Sequence, residues 1–508
     1  MKNKKLNLVH LLGIACVFMA ICSCKSVEKT RGQRLPNIII INMDDLGYGD
    51  IGAYGSTTIS TPNMDRLAHG GIRFTNGYAT SSTCTPSRYG LLTGVYPWRN
   101  SDAKILAGNA ALLIDSSQQT LPKMLQNAGY QTGIVGKWHL GLGDGDVEWN
   151  KTIRLGPNQV GFKESFIMAA TQDRVPTVYI KNGDVVGLDK NDPIEVNYKQ
   201  NYEGQPTGLK NPELLKMKWF HGHNQSIING ISRIGFMRGG EKARWVDEDM
   251  SDIFLTQAQS FVRAHKSSPF FLYYAMQQPH VPRTPHPRYI GKTTMGPRGD
   301  VIAEADDAIG SLIKTLEDED LLENTLIIFT SDNGPVVNDG YSDESVEKLG
   351  NHRPSGPLRG GKYSLYEAGF RVPFICYWKG KIDPNVSDAI VCQIDLLASL
   401  ARLTGQNAEN TDSQDFLKTF MGKHDQGRDE LILEATSRTI LRAGDWVMIP
   451  PYPGLAVNKN VNIELGNSTV YQLYNLKKDL GEQHNLAELE PKKLNEMKAR
   501  YEKLRNAP

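Results

Sequence analysis

The sequence predicts an α/β fold: a large, mostly parallel sheet sandwiched by helices, with a smaller C-terminal α+β subdomain. Three observations predict it. Short apolar runs end abruptly in polar residues, helix-like segments separate these runs, and short alternating strands follow residue 405. Continuous apolar strands are typical of parallel sheets covered on both faces, and their alternation with helices favours a doubly wound arrangement.

Four runs carry the sheet prediction, because each is β-branched or aromatic and lacks the period of a helix. They are "NIIIINMDD" (37–45), "YQTGIVGKWH" (130–139), "PFFLYYAMQQPH" (269–280) and "TLIIFTSDNG" (325–334). Helix-like segments precede the second and fourth runs, at 117–128 and 300–316. Ligands of such sheets bind beyond the carboxyl ends of the strands, so we expect the functional site there.

The remaining chain suggests further divisions. The stretch 156–245 is polar, irregular and too long for a simple connection, and such insertions are often functional. A charged helix is expected at 491–505. The predicted organisation is a leader over 1–24, a main domain over 25–410 that carries the candidate site, and the α+β subdomain over 411–508.

The first residues resemble an export signal. Three lysines precede about a dozen apolar residues, too few for a stable membrane span. The stretch "ICSC" (21–24) also resembles a bacterial lipoprotein box, in which Cys24 would be lipidated, with plain signal cleavage as the alternative. We therefore expect an exported bacterial protein, either periplasmic or an outer-membrane lipoprotein, that contacts the membrane only through such an anchor.

Composition excludes some classes of partner and framework. The net charge of +1 over 508 residues gives no support for nucleic-acid binding through bulk electrostatics. Beyond the leader only Cys84, Cys376 and Cys392 remain, so no disulfide framework is expected. Pairing Cys376 with Cys392 would still leave Cys84 over.

Cys84 stands in "SSTCTPSR" (81–88). A free cysteine is usually a small buried hydrophobe, but this one has serine and threonine neighbours. It lies near the start of a helix opened by Pro86, where free N–H groups and the helix dipole favour negative charge. Cys84 is therefore a candidate for chemistry.

Acidic and amide side chains follow two of the strands. Asp44 and Asp45 end one strand, and Asp332 and Asn333 end another. Alone, each pair is typical of a turn or a helix cap. Brought together, the carboxylates would repel unless a cation lay between them, and an all-oxygen set suits Ca²⁺ or Mg²⁺.

Basic residues recur near the same strand ends. Singly, each is an ordinary surface or structural residue. Together they would line a pocket for a tetrahedral anion. They are Arg88, Lys137, His139, His280 and Lys362.

The motif "CTPSR" followed by "GLLTG" resembles the C-x-P-S-R signature of type I sulfatases, members of the alkaline phosphatase superfamily. Further stretches match in order over nearly the whole mature chain. They are "PNIIIINMDDLGYGDIGAYG", "TPNMDRLAHGGIRFTNGY", "GYQTGIVGKWHLG", "PHVP", "TSDNG", "LRGGKYSLYEAGFRVP" and "LYNLKKDLGEQHNLA". One departure is Leu480, where that family usually has proline. The resemblance implies an alkaline phosphatase-like fold.

The resemblance also implies a cofactor chemistry. Cys84 would be oxidised to formylglycine by a formylglycine-generating enzyme or an anaerobic sulfatase-maturating enzyme. One Ca²⁺ would be held by Asp44, Asp45, Asp332, Asn333 and the modified Cys84. The hydrated aldehyde would offer two hydroxyls, of which one attacks sulfur and the other later allows sulfate to leave.

Roles for the basic residues follow from the same resemblance. Arg88 would steady the formylglycine hydroxyl. Lys137, His280 and Lys362 would bind the sulfate, and His280 could also protonate the leaving alcohol. His139 would act as the base on the second hydroxyl.

Residues that contact the organic part of the substrate are expected mainly in the insertion, although surface roles are an equal alternative for each. The candidates are Asp173, Arg174, His221, His223, Asn224 and Arg353. Their polar, mixed-charge character suits sugar hydroxyls better than an aryl ring. We expect an exo-acting sulfatase on sulfated galactose or N-acetylgalactosamine. The alternatives are an arylsulfatase, a phosphatase or phosphodiesterase of the same superfamily, and a carbohydrate-binding protein without catalysis.

Overall fold

The structure, a computed structural model, describes residues 35–507. The predicted leader over 1–24, with Cys24, lies outside the described residues, so the export signal and the lipid anchor stay predictions. From Pro36 onward the chain packs as one compact unit, and the boundary predicted at residue 410 also stays a prediction. Among the described helices, none has both the length and the apolar composition that crossing a membrane requires.

The described residues form twenty β-strands. In chain order they are β1 (Asn37–Met43), β2 (Ile72–Tyr78), β3 (Gln131–Lys137), β4 (Glu164–Met168), β5 (Tyr179–Lys181), β6 (Asp184–Val185), β7 (Glu195–Asn197), β8 (Ile227–Ile228), β9 (Ile231–Ser232), β10 (Phe236–Arg238), β11 (Phe270–Ala275), β12 (Thr325–Ser331), β13 (Phe374–Tyr377), β14 (Asn385–Cys392), β15 (Glu430–Ala435), β16 (Arg438–Ala443), β17 (Trp446–Ile449), β18 (Val457–Asn458), β19 (Ile463–Glu464) and β20 (Gln472–Asn475). The described α-helices are α1 (Pro62–Gly70), α2 (Cys84–Thr93), α3 (Leu121–Asn127), α4 (Met250–Ala264), α5 (Gly296–Asp318), α6 (Leu396–Thr404), α7 (Leu417–Phe420) and α8 (Pro491–Arg505).

A ten-stranded sheet forms the centre, in the order β14-β2-β13-β12-β1-β11-β3-β4-β5-β6. The strands β12, β1, β11, β3 and β4 are mutually parallel, and antiparallel strands flank them. The four predicted runs become β1, β3, β11 and β12, which are neighbours in the sheet. The prediction of a mostly parallel sheet is therefore confirmed.

Helices cover both faces of this sheet because its central strands are apolar on both. Residues 38–41 of β1, four consecutive isoleucines, are all fully buried. On one face α4 packs against α5 and α5 against α1, and on the other α2, α3 and α6 pack together. The predicted helix at 117–128 begins only at Leu121, because the Thr120 side chain caps it by accepting the Lys123 N–H.

The insertion at 156–245 is less irregular than expected. Strand β4 lies inside it and pairs in parallel with β3, from Gly133 opposite Glu164 to Lys137 opposite Met168. Strands β5 and β6 then extend the sheet edge, and two small antiparallel pairs follow, β7 with β10 and β8 with β9. The sequence hid β4 because a run of five residues is too short to show a clear period.

A second sheet of four antiparallel strands, β15-β16-β17-β20, forms the C-terminal α+β subdomain, and α8 packs on it through Met497. This part of the prediction is confirmed. The edge strand β15 also pairs with the chain just before α2. The Glu434 N–H donates to the Thr80 carbonyl at 3.1 Å, and the Ser82 N–H donates to the Glu434 carbonyl at 2.9 Å. The second sheet thus supports the segment that leads into Cys84.

Candidate active site

The strand register brings the acidic residues together. Met43, the last residue of β1, lies opposite Ser331, the last residue of β12. Asp44 and Asp332 follow directly, and the Asp332 N–H donates to the Met43 carbonyl at 3.0 Å. Asp45 adopts a φ of 65°, which turns the chain sharply after the strand. Parallel pairing therefore places both acidic strand ends at one edge of the sheet, as predicted.

The Cys84 thiol lies among these carboxylates. One ligand atom each from Asp44, Asp45, Asp332 and Cys84 fall within 4.8 Å of one another, and all four residues are buried. Cys84 is the first residue of α2, two residues earlier than Pro86 suggested. Burial raises the pKa of its thiol to about 12, with the two nearby lysines opposing the shift. As a thiol, Cys84 would be neutral and a weak nucleophile at neutral pH.

Each carboxylate faces a cation from a different part of the chain. The pairs are Lys137 Nζ to Asp44 Oδ2 at 2.7 Å, Arg88 Nη2 to Asp332 Oδ2 at 2.8 Å, and Lys362 Nζ to Asp45 Oδ2 at 2.8 Å. All six side chains are at most 2% exposed. Three carboxyl groups and three cations therefore face one another in a site that water hardly reaches, where electrostatic interactions are strong. Burial raises the pKa of Asp44 to about 8 although Lys137 opposes the shift, whereas Lys362 and His280 outweigh burial and lower the pKa of Asp45.

Asn333 leaves an oxygen free at the same place. Its Nδ2 donates to Asp45 Oδ1 at 2.7 Å and to the Gly334 carbonyl at 2.9 Å. Its Oδ1 is buried and has no hydrogen-bond partner among the described residues. Buried acceptors are normally satisfied, so this oxygen beside three carboxylates fits the donor set of a hard cation.

His139 is arranged as a neutral base. Its Nε2 lies 2.9 Å from the Leu106 carbonyl, which can only accept, so Nε2 carries the proton. Its Nδ1 is buried and finds no partner in the described part of the chain. Burial lowers the pKa of His139 well below its usual value, and Lys137 and Arg174 lower it further. Nδ1 therefore keeps a free lone pair.

His280 has the opposite tautomer. Its Nδ1 lies 2.8 Å from the Val281 carbonyl and donates to it. Its Nε2 lies 3.8 Å from Asp45 Oδ2. Burial and the adjacent Lys362 lower the pKa of His280 to about 3. The ring is thus neutral in this structure, with Nε2 on the side of Asp45.

A cavity of about 180 Å³ lies over Cys84 and is lined by half of the predicted site residues. Those lining it are Cys84, His139, Asp173, Arg174, His221, His223, His280 and Lys362. On its insertion side, Asp173 accepts from Arg174 Nη1 at 3.1 Å and faces His223 Nε2 at 2.8 Å. Burial opposes protonation of His223, but Asp173 outweighs it and raises its pKa.

Two predicted substrate residues lie elsewhere. Asn224 does not line this cavity; its carbonyl accepts the Leu209 N–H at 2.9 Å within the insertion. Arg353 lies with His352 on a different cavity of about 310 Å³. The turn that carries Arg353 is held there by the Gly49 N–H, which donates to the Pro354 carbonyl at 2.7 Å. The structure therefore does not bring Asn224 and Arg353 to the cavity over Cys84.

Two polar residues that line the cavity were not predicted from the sequence. Tyr363 follows Lys362 directly, and its N–H donates to the Ser82 carbonyl at 3.0 Å. That adjacency was the available signal. Asp339 lines the same cavity from the loop after β12. It stands in a polar stretch with no periodicity or motif spacing, so nothing in the sequence distinguished it. The other two cysteines beyond the leader, Cys376 and Cys392, are buried free thiols outside this cavity.

Comparison with known proteins shows which family this chain resembles. A family model described as "Sulfatase" matches residues 36–406. An N-acetylgalactosamine-6-O-sulfatase of Bacteroides thetaiotaomicron is 49% identical over 504 residues, covering 98% of both chains. Human arylsulfatase A is 34% identical over 393 residues, covering 74% of this chain and 66% of its own. A solved structure, whose description concerns the metabolism of multiple glycosaminoglycans by B. thetaiotaomicron, superimposes with a TM-score of 0.92 at 49% identity. The match covers 93% of this chain and 100% of that one.

Proposed function

The chain belongs to the sulfatase family and is a sulfuric ester hydrolase, and we propose that it removes the 6-O-sulfate from a terminal N-acetylgalactosamine or galactose of a glycan. The relative that is 49% identical over 98% of both chains bears the name N-acetylgalactosamine-6-O-sulfatase, which supports the sugar and the position. The polar cavity wall supports a sugar over an aryl ring.

One observation carries the chemistry: a buried residue at position 84 shares a cavity with Lys362, His139 and His280 and lies among three carboxylates. A thiol held neutral by burial suits a precursor better than a working nucleophile. We propose that Cys84 is matured to formylglycine by a formylglycine-generating or anaerobic sulfatase-maturating enzyme. Its hydrate would supply two hydroxyls on one carbon.

The carboxylates and Asn333 fit a calcium ion. Asp44, Asp45, Asp332 and Asn333 would hold it together with residue 84, and the orphan Asn333 Oδ1 would gain a partner. The bound ion would supply positive charge next to the hydroxyl at position 84 and the sulfate oxygens.

The cations of the site would bind the sulfate. Lys362 Nζ lies at the cavity wall, and Lys137 Nζ sits between Asp44 and Asp332 at 2.7 and 3.8 Å. Arg88 is fixed by Asp332 and by the Lys137 carbonyl, which Nη1 meets at 3.1 Å. A buried guanidinium held so firmly would orient the hydroxyl at position 84 without reorganising during the reaction.

The two histidines would divide the proton transfers. His139 would accept a proton at Nδ1, because Nε2 carries the proton that faces the Leu106 carbonyl and the Nδ1 lone pair is free. His280 would donate a proton from Nε2 to the departing sugar oxygen. Because its pKa is about 3 here, His280 would need the negative charge of a bound sulfate to raise that pKa before it could act as an acid.

The insertion would hold the sugar. Arg174 and His223 reach the cavity and are oriented by Asp173, which is only 2% exposed. Donors fixed in this way suit sugar hydroxyl oxygens. His221 lines the same wall. These residues are proposed as the sugar-recognition group.

A substrate panel tests the proposal. The matured protein would be assayed against the 6-sulfates of N-acetylgalactosamine, galactose and N-acetylglucosamine, N-acetylgalactosamine-4-sulfate and an aryl sulfate, with calcium and after chelation. We expect sulfate release from the first two sugars and its loss on chelation, restored by calcium. Preference for the 4-sulfate or the aryl sulfate would contradict the proposed substrate.

Mass analysis tests the maturation. The peptide that contains Cys84 should be lighter than the unmodified sequence in active protein, and the fraction modified should follow activity. Fully active protein with an intact Cys84 thiol would contradict the formylglycine proposal.

We also propose export, to the periplasm or as an outer-membrane lipoprotein. The N-terminal lysines, the apolar run and the "ICSC" stretch support it. Labelling with a radioactive fatty acid should mark the wild type and not Cys24→Ala, while fractionation should find both outside the cytoplasm. Retention of the full-length chain in the cytoplasm would contradict export.

A further inference from the structure

Asp339 is the acidic cavity residue that the mechanism above does not use. It lies in the loop after β12 and is 8% exposed. Its carboxylate, one from Asp45 and a ring nitrogen of His280 all fall within 4.8 Å of one another. The nearest cation is Lys362, whose Nζ lies 3.8 Å from Asp339 Oδ2. Asp339 therefore stands beside the side chains proposed to hold the sulfate.

The bonding of Asp339 differs from that of the other acid in the cavity wall. Asp173 accepts from Thr171 and Arg174 and faces His223, so its oxygens are used. Asp339 accepts no side-chain or backbone hydrogen bond from the described residues, and its contact with Lys362 is longer than a hydrogen bond. The side chain of Asp339 is 10% exposed and lines the cavity, so its oxygens are open to a donor that enters there.

The position of Asp339 is set by its neighbour. Gly340 has a φ of +81°, and a Cβ there would lie 1.8 Å from His223 Nδ1. The Asp339 loop is therefore packed directly on the sugar-recognition wall. Asp339 therefore lies 3.8 Å from Lys362 and directly precedes a residue that packs on His223.

We infer that Asp339 selects sugars that carry a hydroxyl, and not a second sulfate, next to the ester that is cleaved. This inference rests on the proposed function. In a galactose-type ring C6 is attached to C5, and the neighbouring ring carbon C4 carries O4, so the O4 group would meet Asp339 when the 6-sulfate lies against Lys362. A hydroxyl donates to the carboxylate, whereas a sulfate is repelled by it. Arg174 and His223 cannot offset that repulsion fully, because Asp173 already pairs with both.

The experiment compares one sugar with one and with two sulfates. Release of the 6-sulfate would be measured for N-acetylgalactosamine-6-sulfate and N-acetylgalactosamine-4,6-disulfate with matured wild type, Asp339→Asn and Asp339→Ser. Glu347→Gln is the matched control, because Glu347 is an exposed residue of the same loop and its substitution also removes one negative charge. Thermal melting checks that each variant is folded. If Asp339→Asn does not fold, the comparison is made with Asp339→Ser.

We expect the wild type to favour the monosulfated sugar in kcat/KM by at least about tenfold, as expected for like charges a few ångströms apart. Asp339→Asn should shrink this preference by roughly tenfold, and Glu347→Gln should leave it unchanged. Two results overturn the inference: a wild type that cleaves both sugars equally, or variants that lose activity on both in proportion. A wild type inactive on every sulfated galactosamine would instead refute the proposed function, and the inference with it.

Discussion

Two buried clusters of charged side chains in this protein contain similar residue types but differ in their roles. The site cluster consists of Asp44, Asp45 and Asp332 with Lys137, Lys362 and Arg88. The joint cluster lies where the second sheet meets the main one, and consists of Tyr78, Glu367, Arg371, Arg442 and Glu482. All eleven residues are at most 6% exposed.

The two clusters differ in how closely charges are matched. In the site cluster every carboxylate has a cation within 2.8 Å. In the joint cluster the nearest guanidinium contacts of Glu367 are 3.4 and 3.9 Å. Within residues 35–507, the Glu482 carboxyl accepts one hydrogen bond, from the Glu367 N–H at 2.8 Å. Burial, reinforced by Glu367, raises the pKa of Glu482 well above its usual value. At Asp45 the close pairing with Lys362 outweighs burial and lowers the pKa, whereas at Asp44 burial outweighs the pairing with Lys137 and raises the pKa to about 8. The loosely paired Glu482 of the joint cluster is a protonated, structural acid.

The joint cluster nevertheless reaches the site along the chain. Glu367 lies five residues after Lys362. Between them, the Ser364 hydroxyl donates to the Glu464 carbonyl at 2.6 Å. Just before Lys362, Arg359 Nη1 donates to the Glu482 carbonyl at 2.6 Å. The C-terminal unit therefore holds the loop that presents Lys362.

The largest expected effect breaks the site cluster at its nucleophile. Cys84→Ala should lower kcat by about 10⁴-fold or more, because the reacting group is lost while the charge pairs remain. Stability should change by only about 1–2 kcal/mol, since a small buried group is removed. Turnover of the 6-sulfated sugar and thermal melting measure the two effects. Activity within tenfold of wild type would contradict the role of residue 84.

The next effect removes one cation from the site cluster. Lys137→Met should lower the free energy of unfolding by about 3–5 kcal/mol, because Asp44 is left buried without its partner. Urea denaturation measures it. The matched control is Lys314→Met, whose exposed pair with Asp318 should be worth less than about 1 kcal/mol. Equal losses in the two variants would show that the buried pairing is not special.

A smaller effect is expected in the joint cluster. Glu482→Ala should cost about 3 kcal/mol, because the buried Glu367 N–H loses its acceptor and a void is left. Glu482→Gln keeps an acceptor oxygen without a charge and should stay within about 1 kcal/mol of wild type. Denaturation of both variants tests this contrast. If the glutamine variant were as unstable as the alanine variant, Glu482 would act as a charged group after all.

The smallest effect concerns pH at the seam between the sheets. Burial raises the pKa of Glu434 in β15 from 4.5 to about 7. The folded state then holds a proton that the unfolded chain releases, so this stabilisation is complete below pH 4.5 and is lost as pH rises to about 7. In the Glu434→Gln variant, the fall in the free energy of unfolding over this pH range should be smaller by about 1–2 kcal/mol. Unfolding measured from pH 4.5 to 8 should show a flatter profile for the variant, and an unchanged slope would contradict the assignment.

The sequence by itself determined the central strands and the family. Runs such as 38–41 are apolar over consecutive residues, and "CTPSR" is contiguous, so both signals are local. It also indicated that Asp44 and Asp332 would meet, because parallel strands end at a common edge. The helix start at Cys84 was misplaced by two residues, since caps depend on side-chain contacts that periodicity does not carry.

Only the tertiary structure decided which loops meet at the site. It brought Asp339 to Lys362 and His223, moved Arg353 to another cavity and paired Glu434 with the chain before Cys84. These contacts join segments far apart in sequence through irregular loops. Such loops have no repeating pattern, because their conformation is set by the surfaces against which they pack.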